Sequence, residues 1–162
     1  LNFIETGRMP LHLERLDLRI LVEQRLQRLQ PQMELKEMRY RILGVESAMV
    51  DLDPERFGQV LTNIMDNAIK FSPLKSRLTI TISRTDHQTT LEITDAGPGI
   101  MPHDLPRIFE RFYKGDRSRT RTAGGTGLGL AIAKHLVEAH GGTISARNND
   151  LEGSTFQIVL PD

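Results

Sequence analysis

Asn63 and Asn67 stand four residues apart, and Lys70 follows three residues later, in the segment Asn63-Ile64-Met65-Asp66-Asn67-Ala68-Ile69-Lys70-Phe71. On a helix that spacing puts the three polar groups on one face, next to the apolar stripe rather than opposite it. Asparagine is a poor mid-helix residue because its amide competes for backbone hydrogen bonds, so two stacked in one helix ask for a reason. A side-chain carbonyl can ligate Mg²⁺, which takes hard oxygen donors and keeps several waters. Lys70 can then meet a phosphate and Phe71 can pack on a base. The competing reading is a pair of half-exposed amides beside a solvated lysine.

Asp95 closes a second segment, Leu91-Glu92-Ile93-Thr94-Asp95. Alternation places Leu91, Ile93 and Asp95 on the same, apolar face of a strand. A carboxylate there is costly unless it is hydrogen-bonded. Gly97 and Gly99 follow directly and leave room for a flat ligand to approach the backbone. Asp95 therefore reads as an acceptor for an exocyclic amine such as that of adenine, or as a strand-end aspartate capping its own turn.

A third segment, Gly124-Gly125-Thr126-Gly127-Leu128-Gly129-Leu130, runs straight into Ala131-Ile132-Ala133-Lys134-His135. A glycine-rich turn opening a helix suits phosphate, since free backbone N–H groups and the positive dipole end face the anion. A P-loop would need Lys-Ser/Thr after its last glycine, and here Leu130 and Ala131 follow. A dinucleotide fingerprint would need a strand before the glycines, and here Arg117 to Thr122 form a polar, basic stretch. The segment is a third kind of phosphate loop or a plain loop-to-helix junction. Upstream, His103 to Ala123 carries Arg107, Arg111, Lys114, Arg117, Arg119 and Arg121. Such a stretch reads as a lid closing on polyphosphate or as a solvated charge run, with Phe109, Phe112 and Tyr113 as packing anchors. The five histidines, His12, His87, His103, His135 and His140, have neither metal-ligand spacing nor a nucleophile context. They read as structural or surface residues, with His135 and His140 near a helix end that welcomes positive charge.

Elements that would hold these residues follow from periodicity. Leu18, Leu21, Val22, Leu26 and Leu29 predict a helix behind Asp17 as cap, ending at Pro31. Met33 to Met38, Tyr40 to Val45 and Ala48 to Leu52 read as short strands. Asp53-Pro54 opens the asparagine-bearing helix, with Phe57, Val60, Leu61, Ile64, Ala68 and Ile69 on its apolar face. Leu78-Ile80-Ile82 and Leu91-Ile93 are strands around a turn near Asp86-His87. A long loop with a short helix, a helix from Gly127 to His140 stopped by Gly141-Gly142, and a hairpin of Thr143–Arg147 with Ser154–Leu160 complete the chain. Strands that precede, separate and follow helices without regular βαβ alternation predict an α+β fold. That fold is a two-layer sandwich, a mostly antiparallel mixed sheet with helices on one face.

The chain has 162 residues, with 21 basic and 21 acidic side chains and no cysteine. Its length suffices for one core. Balanced charge gives no field toward nucleic acid or an anionic membrane, and nothing approaches 18 consecutive apolar residues. Leu1 to Gly7 read as the end of a helix, as in a fragment of something longer.

Four of these segments, in this order, resemble the motifs of sensor histidine kinases. Asn63 to Phe71 is similar to their N box, Asp95-Ala96-Gly97-Pro98-Gly99-Ile100 to their G1 box, Ile108-Phe109-Glu110-Arg111-Phe112-Tyr113 to their F box, and Gly125-Thr126-Gly127-Leu128-Gly129-Leu130 to their G2 box. The resemblance implies the GHKL, or Bergerat, ATP-binding fold, shared with gyrase B, mismatch-repair ATPases and a heat-shock chaperone. It implies that Asn67 ligates Mg²⁺ with Asn63 beside it, that Lys70 contacts phosphate, and that Phe71 and Ile100 flank an adenine held by Asp95. Gly97 and Gly99 would shape the base pocket. Gly125, Thr126, Gly127, Leu128 and Gly129 would wrap the triphosphate. Lys114 falls where many members carry arginine, keeping the charge but not the bidentate fork.

The same resemblance divides the chain into a stub of the dimerisation domain, residues 1–9, and an ATP-binding kinase domain, residues 10–162, with a lid at about 101–124. No histidine here has the phosphoacceptor context, so the implied partners are a histidine-bearing dimerisation domain and a response-regulator receiver domain. The isolated domain would be a cytoplasmic monomer with no nucleic-acid partner and no membrane contact of its own. Fold alone does not separate kinase from ATPase. The related ATPases place a glutamate base where this chain has Asn63, and an amide cannot deprotonate water. Asp66 lies roughly 100° around the helix from Asn67. Transfer to an external imidazole is the better fit. A binding-only module is the remaining alternative, and the intact asparagines, Asp95 and glycines count against it.

Overall fold

The computed structural model describes residues 10–113, 128–150 and 152–162. The readings placed on Leu1 to Gly7, Lys114, Gly125, Thr126 and Gly127 lie outside the described residues.

Helix α2 (Pro54–Phe71) begins as its sequence requires. The Asp53 carboxylate accepts the Arg56 N–H at 3.1 Å, and Pro54 occupies the first position, where its missing N–H costs nothing. Phe57, Val60, Leu61, Ile64, Met65, Ala68 and Ile69 form its buried face. Two further helices join it, α1 (Leu18–Leu35) and α3 (Gly129–Ala139).

The strands are β1 (Glu14–Asp17), β2 (Arg39–Gly44), β3 (Met49–Leu52), β4 (Arg77–Arg84), β5 (Gln88–Thr94), β6 (Thr143–Asn148) and β7 (Ser154–Pro161). Five of them form one sheet in the order β2-β4-β5-β7-β6. β2 runs parallel to β4, and every other pairing in that sheet is antiparallel. Register sets Ile80 beside Ile93 and Ile93 beside Phe156. With Leu78, Ile82, Leu91, Ile158 and Leu160 they make a continuous buried face against the helices. The opposite face carries Thr79, Thr81, Thr90, Glu92, Thr94 and Gln157, all half-buried. One face is covered and the other is open, giving the two-layer α+β sandwich expected.

Three local expectations change. Met33 to Met38 is not a strand, because α1 continues through Pro31 to Leu35. Leu29 and Met33, four apart and both buried, keep the apolar stripe running past the proline, and that burial outweighs one lost hydrogen bond. The helix ends in a Schellman pair, Glu37 N–H to Glu34 C=O at 3.0 Å and Met38 N–H to Met33 C=O at 2.9 Å. Strand β1, four residues with a single apolar side chain, carries no alternation and went unread. It pairs antiparallel with β3 in a separate two-stranded sheet, so β3 is not part of the main sheet.

Candidate functional site

The polar face of α2 meets the start of α3. Asn63 Nδ2 donates to the Gly129 carbonyl at 3.0 Å, which ties the first asparagine to the helix that follows the glycine run. One turn later the Asn67 Nδ2 is buried and has no hydrogen-bond partner among the described residues. A buried amide left in that state costs about 1–3 kcal/mol unless something else meets it. Leu128, at the cap of α3, supplies no side-chain bond to the first turn. Lys70 lies 3.4 Å from the Asp66 carboxylate, so the acid adjacent to Asn67 is engaged with a cation of its own helix. Among the described residues, no group of three His, Cys, Asp or Glu side chains is placed to hold a metal ion.

Asp95, the residue that follows β5, is 2% exposed. Its Oδ1 accepts the Gly97 N–H at 2.9 Å and the Ser154 N–H at 3.3 Å, and its Oδ2 accepts the Ser154 hydroxyl at 2.9 Å. The turn-capping reading of this residue is met. The carboxylate caps its own turn, and it is a buried acceptor fixed in place. Gly97 is required by close approach, since a Cβ there would lie 2.5 Å from the Phe71 carbonyl oxygen. The turn after β5 is thus seated on the last residue of α2. Phe71 and Ile100 are both buried.

Two residues in this frame escaped sequence reasoning. Ser154, the first residue of β7, holds both Asp95 oxygens, and nothing in its local sequence sets it apart from other strand-end serines. Lys36, just past α1, donates its ammonium to the carbonyls of Ile69, Lys70 and Ser72 at 2.7, 3.0 and 2.6 Å. A cation on the exposed carbonyls of a helix C-terminus satisfies both their hydrogen bonding and the dipole. Its targets lie 33 to 36 residues away, and the stretch around it reads as a strand, so no helical spacing pointed to it.

Residues 101–113 begin the predicted lid. Asp104 is buried and accepts the Tyr113 hydroxyl, while Phe109 packs edge-on against Phe156 at 6.1 Å. Phe112 is not the packing anchor expected, being 64% exposed with φ at +64°. Arg107 pairs with Glu110 at 3.2 Å, and that hydrogen bond raises its already high pKa. Lys114, Gly125, Thr126 and Gly127 lie outside the described residues, whereas Leu128 and Gly129 stand at the start of α3. The structural reading of the histidines holds for His140, whose ring bridges α3 to the cap of α2. No helix among the described residues is long and apolar enough to cross a membrane.

The profile of the histidine kinase-, DNA gyrase B- and HSP90-like ATPase family matches residues 52–162, the part that holds all four motifs. The sensor histidine kinase WalK of Bacillus subtilis is 45% identical over 114 residues, which cover 69% of this chain and 19% of WalK. The chain thus spans about a fifth of that relative's length. The structure of the mycobacterial sensor histidine kinase MprB superposes with a TM-score of 0.81 at 31% identity, covering 93% of this chain and 97% of that one. Full-length ShkA, solved in complex with AMPPNP, gives a TM-score of 0.82 at 28% identity over 94% of this chain and 32% of ShkA. Matching profile, matching fold and the four motifs in order agree: the chain belongs to the histidine kinase-, DNA gyrase B- and HSP90-like ATPases, as a catalytic domain of the sensor histidine kinase kind.

Proposed function

We propose that this domain binds ATP and transfers its γ-phosphoryl group to a histidine on a separate dimerisation domain, for relay to a response-regulator aspartate. The observation that carries the reading is the α2–α3 junction. There the Asn63 amide is fixed on the Gly129 carbonyl, and the buried Asn67 amide one turn away is left for a ligand. In this reading the triphosphate lies between Asn67, Lys70, Lys114 and the glycine run Gly125 to Gly129, where the uncapped first turn of α3 favours negative charge. Adenine lies at the other end, its exocyclic amine on Asp95 and its faces against Phe71 and Ile100, with Gly97 and Gly99 shaping the pocket.

Mg²⁺ fits this donor set as an ion that arrives with the nucleotide. The site offers the amide oxygen of Asn67 and no acidic cluster among the described residues, which suits a cation that keeps its waters and takes phosphate oxygens. Bound there, it would neutralise charge on the β- and γ-phosphates.

Transfer to imidazole rather than water follows from what surrounds the reacting end. Asn63 donates to a carbonyl and cannot act as a base, and Asp66 is paired with Lys70. Phosphoryl transfer needs mainly positioning and charge neutralisation. The bond from Pγ to the bridging oxygen breaks with its electron pair leaving on ADP. A P–N bond forms from the lone pair of a ring nitrogen brought in by the partner, and the proton on the other ring nitrogen passes to solvent. The protein site performs no proton transfer from water. ShkA, a relative in sequence and fold, was solved with an adenine nucleotide, which supports the same ligand class here.

The test mixes the domain with γ-labelled ATP, Mg²⁺ and the histidine-bearing segment of its parent protein. Acid-labile, base-stable label on that segment is the expected result. Free phosphate without labelled protein would move the domain to the ATPase class.

A further inference from the structure

The loop after Asp95 is held from across the sheet. Asn148, the last residue of β6, accepts the Ile100 N–H on Oδ1 at 2.7 Å and donates Nδ2 to the Ile100 carbonyl at 2.7 Å. A primary amide that satisfies both backbone groups of one residue reproduces the pair of bonds a neighbouring strand would give. It does so where strand pairing has run out, because β5 stops at Thr94 and the last β6 partner is Asn148 itself, opposite Ser154. Ile100 is 6% exposed, so the alternative to these bonds is a buried peptide with both groups unmet. The residue before it is fitted to the same amide. Gly99 has φ at +84°, and a Cβ on it would lie 3.0 Å from Asn148 Oδ1.

We propose that Asn148 is a positioning residue for the nucleotide base, setting the wall formed by Ile100 without touching the ligand. This rests on the reading that Asp95 and Ile100 flank adenine. Its consequence is selective. The base end of the site depends on the Asn148–Ile100 clamp, whereas Asn63, Asn67 and Lys70 at the phosphate end stand on α2, which the clamp does not touch. Loss of the clamp loosens the adenine wall and leaves the triphosphate contacts in place. Asn149 is an internal control. Its amide is also engaged at both ends, accepting from Thr155 Oγ1 at 2.8 Å and donating to the Glu152 carbonyl at 3.3 Å, yet neither bond reaches Ile100.

The experiment compares affinities of the Mg²⁺ complexes of ATP and of inorganic tripolyphosphate, which has no base, for the wild type, N148A, N148D and N149A. The Kd for ATP should rise about tenfold in N148A, as loss of two hydrogen bonds of ordinary strength gives. The rise should be greater in N148D, where a carboxylate oxygen faces the Ile100 carbonyl. Tripolyphosphate affinity should stay within about twofold in both, and N149A should bind ATP like the wild type. Unchanged ATP affinity in N148A, or an equal loss for ATP and tripolyphosphate, overturns the proposal. A wild type that binds ATP no better than tripolyphosphate would instead defeat the adenine-site reading. Should the variants fail to fold, amide exchange in the wild type decides. Ile100 N–H should exchange at least about a hundredfold slower than an open loop amide, and an unprotected Ile100 overturns the clamp.

Discussion

His140 Nε2 accepts the backbone N–H of Asp53 at 3.1 Å, while its Nδ1 lies 2.8 Å from the Leu136 carbonyl. A carbonyl only accepts and an N–H only donates, so the ring is the neutral Nδ1–H tautomer. The ring is thus a bridge from the end of α3 to the cap of α2. The Phe57 ring meets the imidazole edge-on at 5.5 Å. His140→Ala should lower the free energy of unfolding by about 2 kcal/mol, since it leaves the Asp53 N–H unmet and removes the aromatic contact. Urea denaturation of the two proteins measures this, and a difference below about 0.5 kcal/mol would deny the bridge any energetic role.

Lys36 should be harder still to replace. Its ammonium meets three carbonyls at the end of α2, and Lys36→Met keeps the apolar stem while removing every donor. A loss of about 2–3 kcal/mol is expected, with Lys36→Arg recovering part of it. If Met and Arg variants were equally stable, the stem rather than the charge would be what matters.

Its neighbour gives the opposite sign. Glu37 adopts φ of +55° at the left-handed position of the Schellman turn, and its side chain is exposed. Glu37→Gly removes the Cβ from that conformation and should raise stability by about 1 kcal/mol, after the cost of a more flexible unfolded chain. A lower melting temperature for this variant would contradict the assigned turn geometry.

Acid should weaken the fold through Asp53 and Asp17. Burial pushes the Asp53 carboxyl up, but hydrogen bonds from the backbone N–H groups of His12, Arg56 and Glu55 outweigh it and hold the pKa below the ordinary value. At Asp17 burial again acts upward, and bonds from Ala48, Ser47 and Arg19 again win. A carboxylate depressed in the folded state stabilises it fully above the unfolded pKa, about 3.9 for aspartate. That stabilisation disappears as pH falls through the folded value. Unfolding free energy from these two groups should therefore be flat from about pH 7 to 5 and fall below about pH 4. Asp53→Asn should show a shallower acid slope in urea titrations at several pH values, and identical slopes would remove Asp53 from the account.

What could be read from residue order was whatever local physics decides alone. Asp53-Pro54 announces its helix because cap and first turn are contiguous, and Leu78-Ile80-Ile82 announces its strand because one face is dry. The candidate site stood out for a related reason, since Asn63 with Asn67 in mid-helix and a carboxylate at Asp95 on an apolar face each go against a local preference. Strand β1 was invisible because its stability comes from pairing with β3 rather than from its own pattern. Pro31 misled because the buried Leu29 and Met33 that override it are a tertiary effect. Lys36, Asn148 and Ser154 act across 33 to 59 residues through single side chains on backbone or carboxylate, and no periodicity marks such a contact.

Asp95→Asn separates the turn-capping task of that carboxylate from its proposed role at the base. An asparagine oxygen can still accept from Gly97 N–H, and Ser154 Oγ can turn to accept from the new amide, so the turn after β5 and the fold should survive. The adenine amine, by contrast, would face an amide nitrogen or a weaker neutral acceptor. ATP affinity should fall by at least about a hundredfold, the scale of a lost charge-assisted bond, while melting moves little. If Asp95 accepts the adenine amine as proposed, guanine nucleotides should lose far less. Calorimetric titration of both nucleotides against both proteins makes the comparison. ATP binding that survives the substitution intact would take Asp95 out of the base pocket and leave it only as the cap of its own turn.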